Sequence, residues 1–164
     1  GLDNLGVYFI ANRLSSILTF PLTPIGTMLY TGFSKKHDNG EVINENKILI
    51  VYSVAIISFS VLMYWFIGNF IHLLVDSNQK EILDLVFFMM ISMVLLNVIS
   101  ILNIFDSVKK KSKKIGLVWT VIGLCNVLLN LYLIPEFGMV GAVYSSIISY
   151  TLGLFLNRFL YVKY

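Results

Sequence analysis

Arg13 is the side chain in this 164-residue sequence best suited to charge recognition. It sits about ten residues into a long apolar stretch, roughly 15 Å along it if the stretch is helical. A guanidinium at that depth needs a watery cavity or a partner, and its planar fork suits phosphate. The bland alternative is an arginine that snorkels to the outer interface or forms a structural pair. Asn12 precedes it, pointing about 100° away around a helix. Asn126 and Asn130, spaced i and i+4, share one face of a later helix. Amides so placed bind either a sugar or a neighbouring helix. Arg13, Asn12, Asn126 and Asn130 are therefore the candidate substrate-binding residues. Pro21 and Pro24, with Gly26 close by, are the candidate hinge. A proline deletes a backbone hydrogen bond and bends a helix, whether as a moving joint or as a static kink.

The remaining polar groups point to no catalytic chemistry. Asn97, Asn103 and Asp106 lie along one helix, with Asp106 beside a run of lysines as a counter-charge. His37 and His72 fall on opposite expected sides of the membrane, so they share no metal site or proton relay. Cys125 is a single cysteine in an apolar stretch, which leaves no disulfide framework or cysteine-rich metal site. No paired carboxylates stand together as an enzyme of lipid-linked sugars would require. No enzyme activity, catalytic residue, metal, cofactor or nucleic-acid partner is expected.

The elements that carry these groups follow from composition. Hydrophobic residues make up 57% of the chain and charged residues 13%, too little charge to solvate a soluble domain of this size. The mean hydropathy is +0.83. Apolar runs of about 20 residues are long enough to cross a bilayer. They predict an all-α membrane protein with five transmembrane helices, at about Asn4–Phe33, Ile48–Val75, Ile82–Val108, Ile115–Ile134 and Met139–Val162. The connections are then Ser34–Lys47, Asp76–Glu81, Lys109–Lys114 and Pro135–Gly138. Asp76, Ser77 and Asn78 can cap the third helix, and Glu81 and Asp84 suit its positive start. Tyr30, Tyr64, Trp65, Tyr132, Tyr161 and Tyr164 lie near helix ends, as interfacial belts require.

Charge placement predicts orientation. Lys35, Lys36 and Lys47 share the first connection, Lys109, Lys110, Lys111, Lys113 and Lys114 crowd the third, and Arg158 and Lys163 sit near the C-terminal end. The second connection has only Lys80 and the Pro135 hairpin has no base. Basic connections alternate, so residue 1 is expected outside and residue 164 in the cytoplasm. Small residues Gly138, Gly141, Ala142, Ser145, Ser146 and Ser149 line the early fifth helix and allow close helix contact. The Lys109–Lys114 run reads first as a topology signal, and alternatively as a site for anionic headgroups.

The stretch Asn130-Leu-Tyr-Leu-Ile-Pro135-Glu-Phe-Gly138-Met-Val-Gly141-Ala142 resembles the late hairpin of bacterial polysaccharide flippases of the O-antigen and capsule type. These belong to the multidrug/oligosaccharidyl-lipid/polysaccharide exporter superfamily. Leu5-Gly6-Val7-Tyr8-Phe9-Ile10-Ala11-Asn12-Arg13-Leu14 is similar to a further flippase segment, and Phe33-Ser34-Lys35 to the cytoplasmic exit of the same helix. The three stretches fall in the family's order, while the middle helices match mainly in hydropathy. The resemblance implies two six-helix bundles around a central cavity, of which residues 1–164 correspond to the eighth through twelfth helices. The N-terminal bundle and the first helix of the second are then missing, and those helices of a parent chain are implied partners. The other implied partners are membrane lipids and a polyprenyl-diphosphate-linked oligosaccharide. The implied activity is flipping of that oligosaccharide across the bacterial cytoplasmic membrane for cell-surface polysaccharide synthesis, with Arg13 facing the diphosphate or acidic sugars. A multidrug or cation exporter of the same superfamily is the alternative, and a non-transporting membrane subunit a further one.

Overall fold

A computed structural model describes residues 2–20, 22–75 and 78–161, with side chains for 5–20, 24–75 and 78–160. Among the described residues, six α-helices carry five spans long and apolar enough to cross a membrane. The helices are α1 (Leu2–Ser15), α2 (Leu22–Asp38), α3 (Glu45–Phe70), α4 (Gln79–Val108), α5 (Ser112–Phe137) and α6 (Met139–Tyr161). No strand occurs among the described residues, so the all-α multi-pass architecture holds.

The first span departs from expectation. It is not one bent helix from Asn4 to Phe33 but two helices, α1 and α2, parted by a 3-10 turn at Ser16–Thr19. Pro24 falls in the first turn of α2, where an N–H has no intrahelical partner to lose. Pro21 lies outside the described residues. The span also runs on to Asp38, because Lys35, Lys36 and His37 favour the negative end of a helix. It stops in a glycine cap: Gly40 has φ 73°, its N–H bonds the His37 carbonyl at 3.0 Å, and Glu41 N–H bonds Lys36 at 2.9 Å.

Other boundaries shift for local reasons. Asn44 accepts a hydrogen bond from Lys47 N–H at 3.1 Å, so α3 begins at Glu45 and takes Lys47 into its first turn. Asn78, by contrast, makes no side-chain cap on α4; Asp76 and Ser77 lie outside the described residues. Helix α5 runs through Pro135 to Phe137, and the expected Pro135–Gly138 connection reduces to Gly138 alone. Gly138 adopts φ 60°, ψ −134°, and reverses the chain directly into α6.

Helix α4 is the centre of the bundle. It supplies more buried side chains than any other helix, among them Ile82, Val86, Met89, Met90, Ile99 and Ile101. The first span, α3 and α6 each pack on it, and α5 lies mainly against α6. Exposed Trp65 on α3 and Leu124, Leu128 and Tyr132 on α5 turn outward, as surfaces against lipid do. Three links draw the basic segments to one end of the bundle. Lys109 pairs with Glu45, Lys114 pairs with Asp106, and Arg158 donates to Asn46 Oδ1 at 3.3 Å. Alternate connections therefore do fall at the same end.

Candidate functional site

The break in the first span is built from hydroxyls. Ser15 Oγ donates to the Ala11 carbonyl at 2.8 Å and reaches the Val86 carbonyl of α4 at 3.5 Å. Ser16 Oγ donates to the Arg13 carbonyl at 2.7 Å, and Thr19 Oγ1 to Ser16 at 2.6 Å. Such back-bonds compete with the helical ladder and loosen it. Ser15 beside Val86, and Phe33 stacked on Phe105 with ring centroids 5.1 Å apart, set the register between the first span and α4. By that register the 3-10 turn at Ser16–Thr19 stands beside residues 87–90, just before the middle of α4.

The same register sets the height of Arg13, which is level with Asp84. That is about five residues into α4, or roughly 8 Å from its start. Arg13 is thus nearer the end at which α1 and α4 begin than the centre of the span. Val7, Ala11, Ser15 and Leu18 are buried toward the bundle. Asn12 and Arg13 are both exposed on the other side. The Arg13 guanidinium carbon lies 5.1 Å from the centroid of the Phe9 ring one turn earlier, so the aromatic face steadies the cation. Pro24 is also exposed.

Asn126 and Asn130 point elsewhere, into the α5–α6 contact. Asn130 Nδ2 donates to Asn126 Oδ1 at 2.9 Å, and Asn126 Nδ2 to Ser146 Oγ at 3.3 Å. Ser145 Oγ donates to Asn130 Oδ1. The four side chains form a polar ladder that closes the hairpin, the interhelical role open to them in the sequence. Gly141 makes it possible: a Cβ there would stand 2.3 Å from the Leu133 carbonyl oxygen. Arg13 and the asparagine pair are therefore not one constellation. The structure brings Asn12 and Arg13 together on α1 and separates them from Asn126 and Asn130.

Two polar sites escaped the sequence reading. At mid-depth, buried Asn97 donates to the Met93 carbonyl at 2.7 Å and accepts from Tyr52 OH at 3.1 Å, pinning α3 to α4. At the basic end, Asp106 Oδ2 and Lys114 Nζ are 2.8 Å apart and almost wholly buried. Asp106 was legible as a counter-charge to the lysines, but not as the partner of Lys114 in particular. Asn157 of α6 is buried in the same small cavity, with Asn46 and Arg158 at its rim. Burial of this pair demands that both members stay together.

A cleft of about 690 Å³ opens at the opposite end, between the start of α4 and the α5–α6 reversal. Glu81, Asp84 and Lys80 meet Phe88 and Phe137 there. Among the described residues no cluster of His, Cys, Asp or Glu could hold a metal ion. The arrangement offers a polar, unpacked face on an interrupted helix, backed by a tightly locked bundle. No protein-family model matches the chain, and no curated protein and no solved structure matches it.

Proposed function

We propose that this chain belongs to the second bundle of a two-bundle transporter that flips polyprenyl-diphosphate-linked oligosaccharide across the bacterial cytoplasmic membrane. The observation that carries this reading is the first span: interrupted near mid-depth, with Asn12 and Arg13 exposed on the side turned away from α4. Interrupted helices that present polar groups at membrane depth are a recurrent way to build a substrate path. The order of the three flippase-like sequence stretches supports the same assignment.

The physical task is to move a hydrated glycan and a charged diphosphate through hydrocarbon while the polyprenyl tail stays in lipid. Two bundles that rock about a central cavity supply a polar route open to one side at a time. Arg13, set near the outer end, receives the diphosphate as the path opens outward, with its fork matched to two phosphate oxygens. The joint at Ser16–Thr19, with Pro24 in the first turn of α2 beyond it, lets α1 tilt independently of α2. The Asn126–Asn130 ladder and the Asp106–Lys114 pair hold α4, α5 and α6 together as the body against which that motion occurs. The basic end is cytoplasmic in this reading, with residue 1 outside and residue 164 inside.

The test is depletion of the protein in its source cell, with extraction of lipid-linked intermediates. Polyprenyl-diphosphate oligosaccharide should accumulate on the cytoplasmic side. Complementation by Arg13→Ala should restore flux about ten- to a hundredfold less well than the parent, the loss expected for a hydrogen-bonded charge. The Arg13 side chain is exposed and stacks on Phe9 of its own helix, so chain abundance should not change. A normal lipid pool together with raised sensitivity to cationic drugs would replace this reading with the exporter.

A further inference from the structure

Five lysines crowd the turn from α4 to α5, and the structure divides them. Lys109 pairs with Glu45 and Lys114 with Asp106, so these two serve the bundle. Lys110 and Lys113 are exposed. With Lys111, and with Lys114 at its inner side, they edge a cleft of about 590 Å³ whose apolar wall is Leu117 of α5 and Leu160 of α6. Helix α5 begins at this cleft, and Lys111 at its N-cap offers no side-chain cap. The first-turn amides and the helix dipole therefore add positive potential to the lysines.

The backbone supplies a second, independent observation. Helix α4 ends in the same motif as α2: Lys110 N–H bonds the Ser107 carbonyl at 3.0 Å and Lys111 N–H bonds Asp106 at 2.8 Å. The left-handed position of this motif is held by Gly40 at the end of α2, but by Lys110, with φ 58°, at the end of α4. Glycine occupies such positions without steric penalty and lysine does not. A topology signal needs only charge somewhere in the connection. It does not require a lysine at the one strained position, beside an apolar wall at the end of two spans.

We propose that this cleft binds the headgroup of an anionic phospholipid. Lys110, Lys113 and the start of α5 take the phosphate, and the acyl chain descends along Leu117 and Leu160. Charge complementarity selects an anionic headgroup, and the apolar wall selects a lipid over a free phosphate. The inference rests on the multi-pass architecture and is independent of the flippase reading.

The test uses the full chain in phosphatidylcholine vesicles. Trp65 and Trp119 are the two tryptophans. Trp65→Phe and Trp119→Phe silence them, and Leu117→Trp places one emitter at the exposed wall. Brominated phosphatidylglycerol should quench it with an apparent affinity about thirtyfold above brominated phosphatidylcholine, a figure set by about 1 kcal/mol for each of the two surface lysines. Lys110→Gln with Lys113→Gln should bring the ratio to about one. Lys110→Gly should raise the melting temperature while lowering the ratio. Equal quenching by the two lipids, or a ratio unchanged by removing both lysines, overturns the proposal. The chain with its native tryptophans gives a second readout: phosphatidylglycerol retained through purification from mixed vesicles should fall when both lysines are replaced. Equal retention by parent and variant also overturns it.

Discussion

Gly141→Ala is expected to destabilise the α5–α6 hairpin by about 1–2 kcal/mol, and the structure supplies the reasoning. A Cβ at Gly141 would stand 2.3 Å from the Leu133 carbonyl oxygen and 2.6 Å from its carbon. A carbon resting against a carbonyl oxygen needs about 3.3 Å, so the two backbones must part by about 1 Å. Backbone cannot swing aside as a side chain can. Overpacking of this kind costs roughly 1–3 kcal/mol, offset in part by up to about 1 kcal/mol of improved helix propensity. Gly153 is the informative comparison. Its added Cβ would also approach within 2.3 Å, but of Ile122 Cδ1, with Cγ1 at 2.6 Å, so the clash is with a side chain and not with backbone. A rotamer change there costs about 0.5–1.5 kcal/mol, which the propensity gain nearly cancels. Gly123 has nothing within 4 Å and sets the baseline. Cys125, the only cysteine, is half-buried on α5, so a thiol-reactive dye can follow thermal unfolding in detergent. The expected order of melting temperatures is Gly123→Ala at or above the parent, Gly153→Ala close to it, and Gly141→Ala clearly lowest. A Gly141→Ala protein that melts with the Gly123→Ala protein would refute the close approach of α5 and α6.

The same dye assay addresses the polar contacts. Asp106→Asn leaves the Lys114 ammonium buried without its counter-charge and should cost about 3 kcal/mol, whereas adding Lys114→Gln should recover at least half. A double-variant loss equal to the sum of the losses of Asp106→Asn and Lys114→Gln alone would mean that the two charges do not couple. Asn130→Ala removes the acceptor of Ser145 and the donor to Asn126, and should cost about 1 kcal/mol, within the range of interhelical hydrogen bonds in membranes. Asn126→Ala, whose bond to Ser146 is longer at 3.3 Å, should cost less. If Asn130→Ala lowered oligosaccharide flux without lowering stability, the ladder would belong to the substrate path instead.

Hydropathy and charge are summed along the chain, and whatever depends only on such sums was legible without the fold. The number of spans, a short reversal in the Pro135–Gly138 stretch and the alternation of basic connections are of this kind. So is the polar character of Arg13, Asn126 and Asn130, because a bilayer leaves few such groups unexplained. Register between helices is not a sum. It depends on where small residues admit close backbone contact, and it determined that Arg13 stands level with Asp84 while the asparagines turn inward to Ser145 and Ser146. Local competition had the same effect on the first span. Prolines announce a disturbance, but its form, a 3-10 turn at Ser16–Thr19 accompanied by hydroxyl back-bonds from Ser15, Ser16 and Thr19, appears only in the folded backbone. Lysines clustered at one turn look equivalent in sequence. Their division into Lys109 and Lys114, paired within the bundle, and Lys110 and Lys113, exposed at an apolar cleft, required the positions of Glu45, Asp106 and Leu160, which only packing brings to the same end.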